Sequence, residues 1–442
     1  MRGLKSTLAL GVILAGLAGY IIFVENKKPA SDTPVKTKAW VIEGSTITDV
    51  TVRSSGGDTT RLRKSGDSWV MAEPVQAAAD NAVTSSIVNG LAGLELERVL
   101  DEAPAGLKDY GLDPARIEVT FRTSADSVPK RLLIGEKTPG SGELYAQTDR
   151  SGAAVVLIAS FHENAFNKGT FELRDKAILT FDRTKADGLA IAHGSTALRF
   201  ARSGDVDWSM SRPFAARGDF AAIDGAISVL ASTQVQKFVT ETAADLKAYG
   251  LDRPELTARL TSDGKTQTLL VGKSVEGTRY AKRAESTGIF TVGENLLADL
   301  KKDGNDFRRK DIFDFRAFTA NRIEVARGAS VLSLEKIPGK DTTTPDHWKA
   351  STGKQTETMQ AEDPILKVTG LRADGFVPAV PAAMKTPDAV VTVKFDENKK
   401  TEVVRFFVKD AAVYATREGE PGAAQVTRTA YDEALKALDG LK

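Results

Sequence analysis

The chain contains no cysteine. Disulfide staples, thiolate-ligated zinc, iron–sulfur clusters and thiol nucleophiles are therefore excluded, and burial alone must hold the fold together. Histidine is scarce as well: His162, His193 and His347 are scattered along 442 residues without the spacing of metal ligands. Net charge almost vanishes, with 60 Lys plus Arg against 59 Asp plus Glu and a formal charge of +1. A nucleic-acid binder needs a net basic footprint to displace counterions, so no nucleic-acid partner is expected. What remains is an ordinary globular balance, 41% hydrophobic and 27% charged. A chain of this length outgrows a single core, and two to four domains are expected.

The one long apolar run lies at the start, MRGLKSTLALGVILAGLAGYIIFVENKKPASD. Arg2 and Lys5 precede an uncharged stretch from Ser6 to Val24. As a helix this stretch would be roughly 28 Å long, close to the hydrocarbon thickness of a bilayer. A small-residue cleavage site at Gly16 and Ala18 would split an apolar run that continues through Val24. A lipoprotein signal would need Cys where Tyr20 stands. The expectation is a retained anchor over residues 6–24. The stretch up to residue 38, rich in Lys, Pro, Ser and Thr, reads as a polar tether. Basic tip, apolar run and polar spacer form the layout of an export signal, which puts the tail in the cytoplasm. The bulk of the chain would then lie on the periplasmic side of a bacterial inner membrane.

Beyond the tether the sequence repeats itself. LKDYGLD at 107–113 returns as LKAYGLD at 246–252. Trp69 precedes Tyr110 by 41 residues, as Trp208 precedes Tyr249, and Trp348 follows 140 residues after Trp208. Tyr145, Tyr280 and Tyr414 recur inside LYAQ, RYAK and VYAT. IEVTF (117–121), LTARL (256–260) and VTVKF (391–395) alternate apolar and polar residues, the pattern of a strand with one buried face. Asp80 and Asp219 each stand 11 residues after their Trp, ahead of helical apolar spacing, and are expected as helix caps. Asp363-Pro364 predicts the third helix start, with Asp as cap and Pro at the first helical position. FHENAFNK, ENLLADLKKD and AYDEALKALDGLK read as closing helices.

The expected class is α+β: a transmembrane helix and then three tandem modules of antiparallel sheet plus helices. The modules are read as 39–182, 183–316 and a divergent 317–442. In the heptapeptide, Leu107 to Tyr110 suit one helical turn, and Gly111 and Gly250 suit the left-handed residue that ends it. Asp113-Pro114 then forces extended chain into the next strand. These landmarks read as architecture, with the Trp and Tyr as core anchors.

Several of these motifs resemble a bacterial domain-of-unknown-function family, number 4340. That family has an N-terminal membrane segment, a W-x-x-x-x-P motif, a repeated Y-G-L-D-x-P and an L-R-D-K. They stand here as WVMAEP (69–74), WSMSRP (208–213), YGLDP (110–114), YGLDRP (249–254) and LRDK (173–176). The last module follows more loosely, for Trp348 lacks the following Pro and no Y-G-L-D occurs. The resemblance implies an extracytoplasmic accessory role beside gliding-type ABC transporter subunits. It implies no catalytic residues.

Chemical motifs are weak. VGKS (271–274) resembles the end of a phosphate loop, but Gln267 occupies the position of the required Gly. EKTPGSGELY (136–145) reads as a hairpin loop. His162 stands alone, and acidic pairs such as Asp101-Glu102 carry little specificity among 59 acidic residues. Two basic clusters occupy equivalent places, Arg174 and Lys176 in one and Arg308, Arg309 and Lys310 in the other. They would either contact lipid headgroups or an acidic partner, or form salt-bridged joints between modules. The expectation is a non-enzymatic, cofactor-free binding or scaffold protein anchored by a single span. The alternative is an envelope polysaccharide or peptidoglycan hydrolase with carboxylates between modules.

Overall fold

The computed structural model describes residues 37–442 except 127, 141, 205 and 341–343. The anchor expected at 6–24 and nearly all of the tether lie outside the described residues. Among the described residues, no helix is long and apolar enough to cross a membrane.

The protein is mostly sheet with few helices. The described residues form three nine-stranded sheets and a small two-stranded one, all antiparallel. Numbered within its own module, every large sheet runs 4-3-2-1-6-7-8-9-5. Two meanders thus join edge to edge where the first strand pairs with the sixth: Ile47–Arg53 with Ile117–Thr123, Ala186–His193 with Leu256–Ser262, and Ala320–Arg327 with Ala389–Phe395. The alternating patterns form these central strands. In Ile117–Thr123, Ile117, Val119 and Phe121 are fully buried while Glu118 and Thr120 are only partly covered. Burying each such apolar side chain contributes about 1.5–3 kcal/mol.

Between the fourth and fifth strands a helix crosses one face of each sheet. Asn81–Ala92 is capped by the Asp80 side chain, which accepts from the backbone N–H of Ala82 and Val83. Phe220–Ser232 is capped by Asp219, which accepts from Ala222. The third helix departs from expectation: it spans Thr358–Thr369, follows Glu357 and holds Pro364 in its interior. Its buried stripe of Ala361, Ile365 and Val368 begins ahead of the proline. Packing therefore draws the preceding turn into the helix despite the missing N–H.

Each sheet and its helix enclose one main hydrophobic core. Two module boundaries shift from those read in the sequence. Ile178 and Leu179 belong to the second core, and Ile312, Phe313 and Phe315 to the third. The segments AILTFD and DIFDFR thus open the following module rather than closing the preceding one, because their apolar side chains insert under the next sheet. Compactness divides the chain into Met1–Lys176 and Ala177–Lys442, so the second and third modules form one unit.

Candidate functional site

The tryptophans sit in the cores, with Trp69, Trp208 and Trp348 only 6%, 4% and 2% exposed. The tyrosines do something else. Tyr110 meets Tyr145 edge-on at 5.1 Å, and Tyr249 meets Tyr280 at 4.9 Å. In the first module this pair joins Leu107, Leu112, Ala115, Leu133 and Val155 in a small satellite cluster separate from the main core. The repeated heptapeptide therefore covers part of the sheet face opposite the helix. Its one-turn helices, Lys108–Tyr110 and Lys247–Tyr249, end on Gly111 (φ 66°) and Gly250 (φ 67°). Tyr414 lies in the equivalent strand of the third module, Ala412–Arg417.

The same contact accounts for VGKS. Gly272 lies within the strand Lys265–Val275, and a methyl group there would overlap the Tyr249 carbonyl. Gly135 of IGEK stands in the same relation to Tyr110. Both glycines let the turn seat on the strand, and no strand-to-helix phosphate loop forms. EKTPGSGELY links the strands Lys130–Lys137 and Leu144–Thr148, as a hairpin loop should.

The remaining chemical candidates do not converge. His162 is 5% exposed and stacks on Phe166. Burial lowers its pKa, favouring the neutral ring. His193 bonds to the Lys302 carbonyl, and His347 lies on the Trp348 strand. Asp101 accepts from the Tyr110 hydroxyl at 3.0 Å and from the Ala103 N–H, so it braces the turn.

Both basic clusters run beside a helix N-terminus. Backbone bridges join Ala79 to Arg174 and Gly218 to Arg308. Lys176 Nζ reaches Asp80 at 3.3 Å and the Glu172 and Arg174 carbonyls. Arg308 is buried, pairs with Glu420 of the third module at 3.0 Å, and lies 4.2 Å over the Phe376 ring. Arg217 also holds Glu420 and reaches Asp314, which binds Arg309 and Arg417 in turn. Glu402 pairs with Arg417 and accepts from the Asp314 and Phe315 N–H groups. Burial would raise the Asp314 and Glu420 carboxyls, but the surrounding guanidiniums outweigh it and lower both. This network locks the second module to the third. Lys310 remains exposed, and its carbonyl accepts from the Ala373 N–H.

Two hollows mark the second unit. A cleft of about 790 Å³ opens beside the joint, lined by Trp208, Arg217, Arg309, Asp314, Arg417 and Glu420. Of its arginines, Arg217, Arg309 and Arg417 are already committed to Asp314 and Glu420. A second hollow of about 540 Å³ lies over the second sheet, on the face away from its core, with Gly188, Ala190 and Ala201 beneath Arg199, Arg212 and Arg259. Among the described residues, none of these three guanidiniums has an ion-pair partner. The sequence reading passed over all three. Their only signal is small residues alternating with buried ones in ADGLAIAH and TALRFAR.

Comparisons with known proteins agree with the repeat. No curated protein matches the sequence. Two crystal structures of the DNA polymerase sliding clamp from Pseudomonas aeruginosa, one with ligand, are 9% identical. Each match covers 88% of this chain and 93% or 94% of the other, with a TM-score of 0.16, which bears on neither fold nor function. The family profile described as "Domain of unknown function (DUF4340)" matches twice, over residues 69–216 and 208–397. The two matches begin on the repeat-related Trp69 and Trp208 and together span most of the chain, so the protein belongs to the DUF4340 family.

Proposed function

We propose that this protein is a non-catalytic binding scaffold, anchored in a bacterial inner membrane by residues 6–24, with its modules on the periplasmic side. There it would hold or present a component of an ABC-type transporter or a related envelope assembly. The observation that carries the reading is how the repeated residues are used. Trp, Tyr, Gly and the capping Asp recur because they pack and close the same sheet, and the basic cluster of the second module goes into a joint with the third. Duplication of such modules enlarges surface rather than assembling one reaction centre.

The test is fractionation followed by gentle detergent extraction of the full chain. The protein should resist carbonate washing and bring transporter subunits with it. Release by carbonate, or purification without any partner, would count against the proposal.

A further inference from the structure

The open half of the second sheet differs from its counterpart in the first, and the difference is chemical. Strand register aligns the two. In the first module Asp49 stands opposite Arg63 and Arg122, Thr51 opposite Arg61 and Thr120, and Arg53 opposite Glu118, while Arg61 faces Glu73. Most of the arginines there meet an acid: Arg61 binds Asp49 at 2.8 Å and Glu73 at 3.6 Å, and Glu118 holds both Arg53 and Arg131.

In the second module Gly188 stands opposite Ala201 and Thr261, Ala190 opposite Arg199 and Arg259, and Ala192 opposite Ala197 and Thr257, while Arg199 faces Arg212. Every carboxylate of the first face has gone. Asp49 corresponds to Gly188, Glu73 to Arg212 and Glu118 to Thr257. Arg212, Arg199, Ala190 and Arg259 now form one row across four adjacent strands. Like charges set opposite each other on a sheet are destabilising, so the row costs stability unless an anion answers it. Asp187, at a bulge beside the row, is the one carboxylate lining the hollow. The third module keeps an acid on its matching strand, where Glu324 pairs with Arg322.

We infer that this arginine-rowed, alanine-floored face of the second module docks an extended acidic segment of a partner protein. The inference deepens the scaffold proposal and rests on it for the existence of a partner. Guanidinium forks match carboxylates in a planar, two-point geometry. Alanine and glycine beneath them let a polypeptide backbone approach closely. An extended segment with acids at alternate positions spaces its carboxylates about 7 Å apart, and the row places arginines roughly 5 and 10 Å apart across neighbouring strands. The hollow has the size of an ordinary ligand site. Phe200 belongs to a lining strand, but its side chain is buried in the core beneath, so the hollow offers no aromatic platform for bases or sugar rings. It also lacks the protruding apolar side chains with which a protein inserts into a bilayer.

The experiment uses the full chain in detergent, with a synthetic peptide of alternating glutamate and alanine as probe. Its glutamine counterpart, inorganic tripolyphosphate and phosphatidylglycerol vesicles serve as comparisons. The acidic peptide should bind, weaken with salt, and lose about tenfold or more in affinity for each of Arg199→Ala and Arg259→Ala. The pair Arg212→Glu and Thr257→Glu, which restores acids of the first face, should abolish binding while leaving thermal stability unchanged or raised. Equal binding of the glutamine peptide, or undiminished binding by the variants, overturns the inference. Arginine-dependent binding of tripolyphosphate or vesicles without the peptide overturns it too, in favour of a phosphate or a membrane. None of these readings depends on the anchor or on copurification, so the scaffold proposal can fail separately.

Discussion

Gly272 and Gly135 carry the contact between the repeated turn and its sheet, and no larger residue can share that space. Gly272→Ala should destabilise the second unit by about 1–3 kcal/mol, as overpacking does, measured by denaturant unfolding followed through tryptophan fluorescence. A stability unchanged by the substitution would mean the turn does not seat as described. His162 makes a different kind of claim. Its folded pKa lies below the ordinary value of about 6.5 because burial penalises the charged ring. Its contribution is therefore complete above that value and is lost as pH falls through the lower folded pKa. The melting temperature of the first unit should decline as pH falls below about 6.5, and His162→Gln should flatten that decline. The tyrosines and glycines of the heptapeptide could be read as a turn from their order alone. Their seat on Gly135 and Gly272 could not, because the contact joins positions on separate strands.

At the scale of single elements, capping chemistry was local and therefore visible in the sequence. Asp80 and Asp219 supply the oxygen that the first free N–H groups of a helix require. The third helix shows where local rules yield. Asp363-Pro364 is a sound start signal, yet the buried positions Ala361, Ile365 and Val368 extend the helix upstream through it. Pro364 then sits where its missing N–H costs a hydrogen bond. Pro364→Ala should raise the stability of the third module by about 1–3 kcal/mol, read as a shift in its unfolding midpoint. Loss of stability would imply that the proline has a packing role of its own. The fifth strand of each sheet, such as Arg98–Asp101 or Lys237–Thr240, leaves only a faint signal in the sequence. It is short, carries no clear alternation, and earns its place only by reaching the far edge.

At the scale of the whole molecule, the second and third modules act as one body because charges from both are buried together. Glu420→Gln would leave Arg308 and Arg217 without their shared carboxylate, at a cost of about 3–5 kcal/mol. The expected readout is faster proteolysis between the two modules. Protection equal to the parent protein would show that apolar packing suffices. Asp314 and Glu420 have lowered pKa values, so their stabilisation is present above about pH 4 and lost as pH falls below it. Acid should therefore loosen this joint, and Glu420→Gln should make the second unit less sensitive to acid.

By itself the sequence determined the number of modules, most of their strands and turns, and the positions of the recurring aromatics and glycines. Each of these is set by periodicity and backbone preference over a few neighbouring residues. Only the tertiary structure decided which arginines are neutralised and which stand bare. Arg308 and Arg199 look alike in sequence, but one faces a buried carboxylate 112 positions away while the other faces a second arginine across a sheet. Charge pairing depends on distances of a few ångströms between residues far apart along the chain, and only the folded sheet brings them to that range.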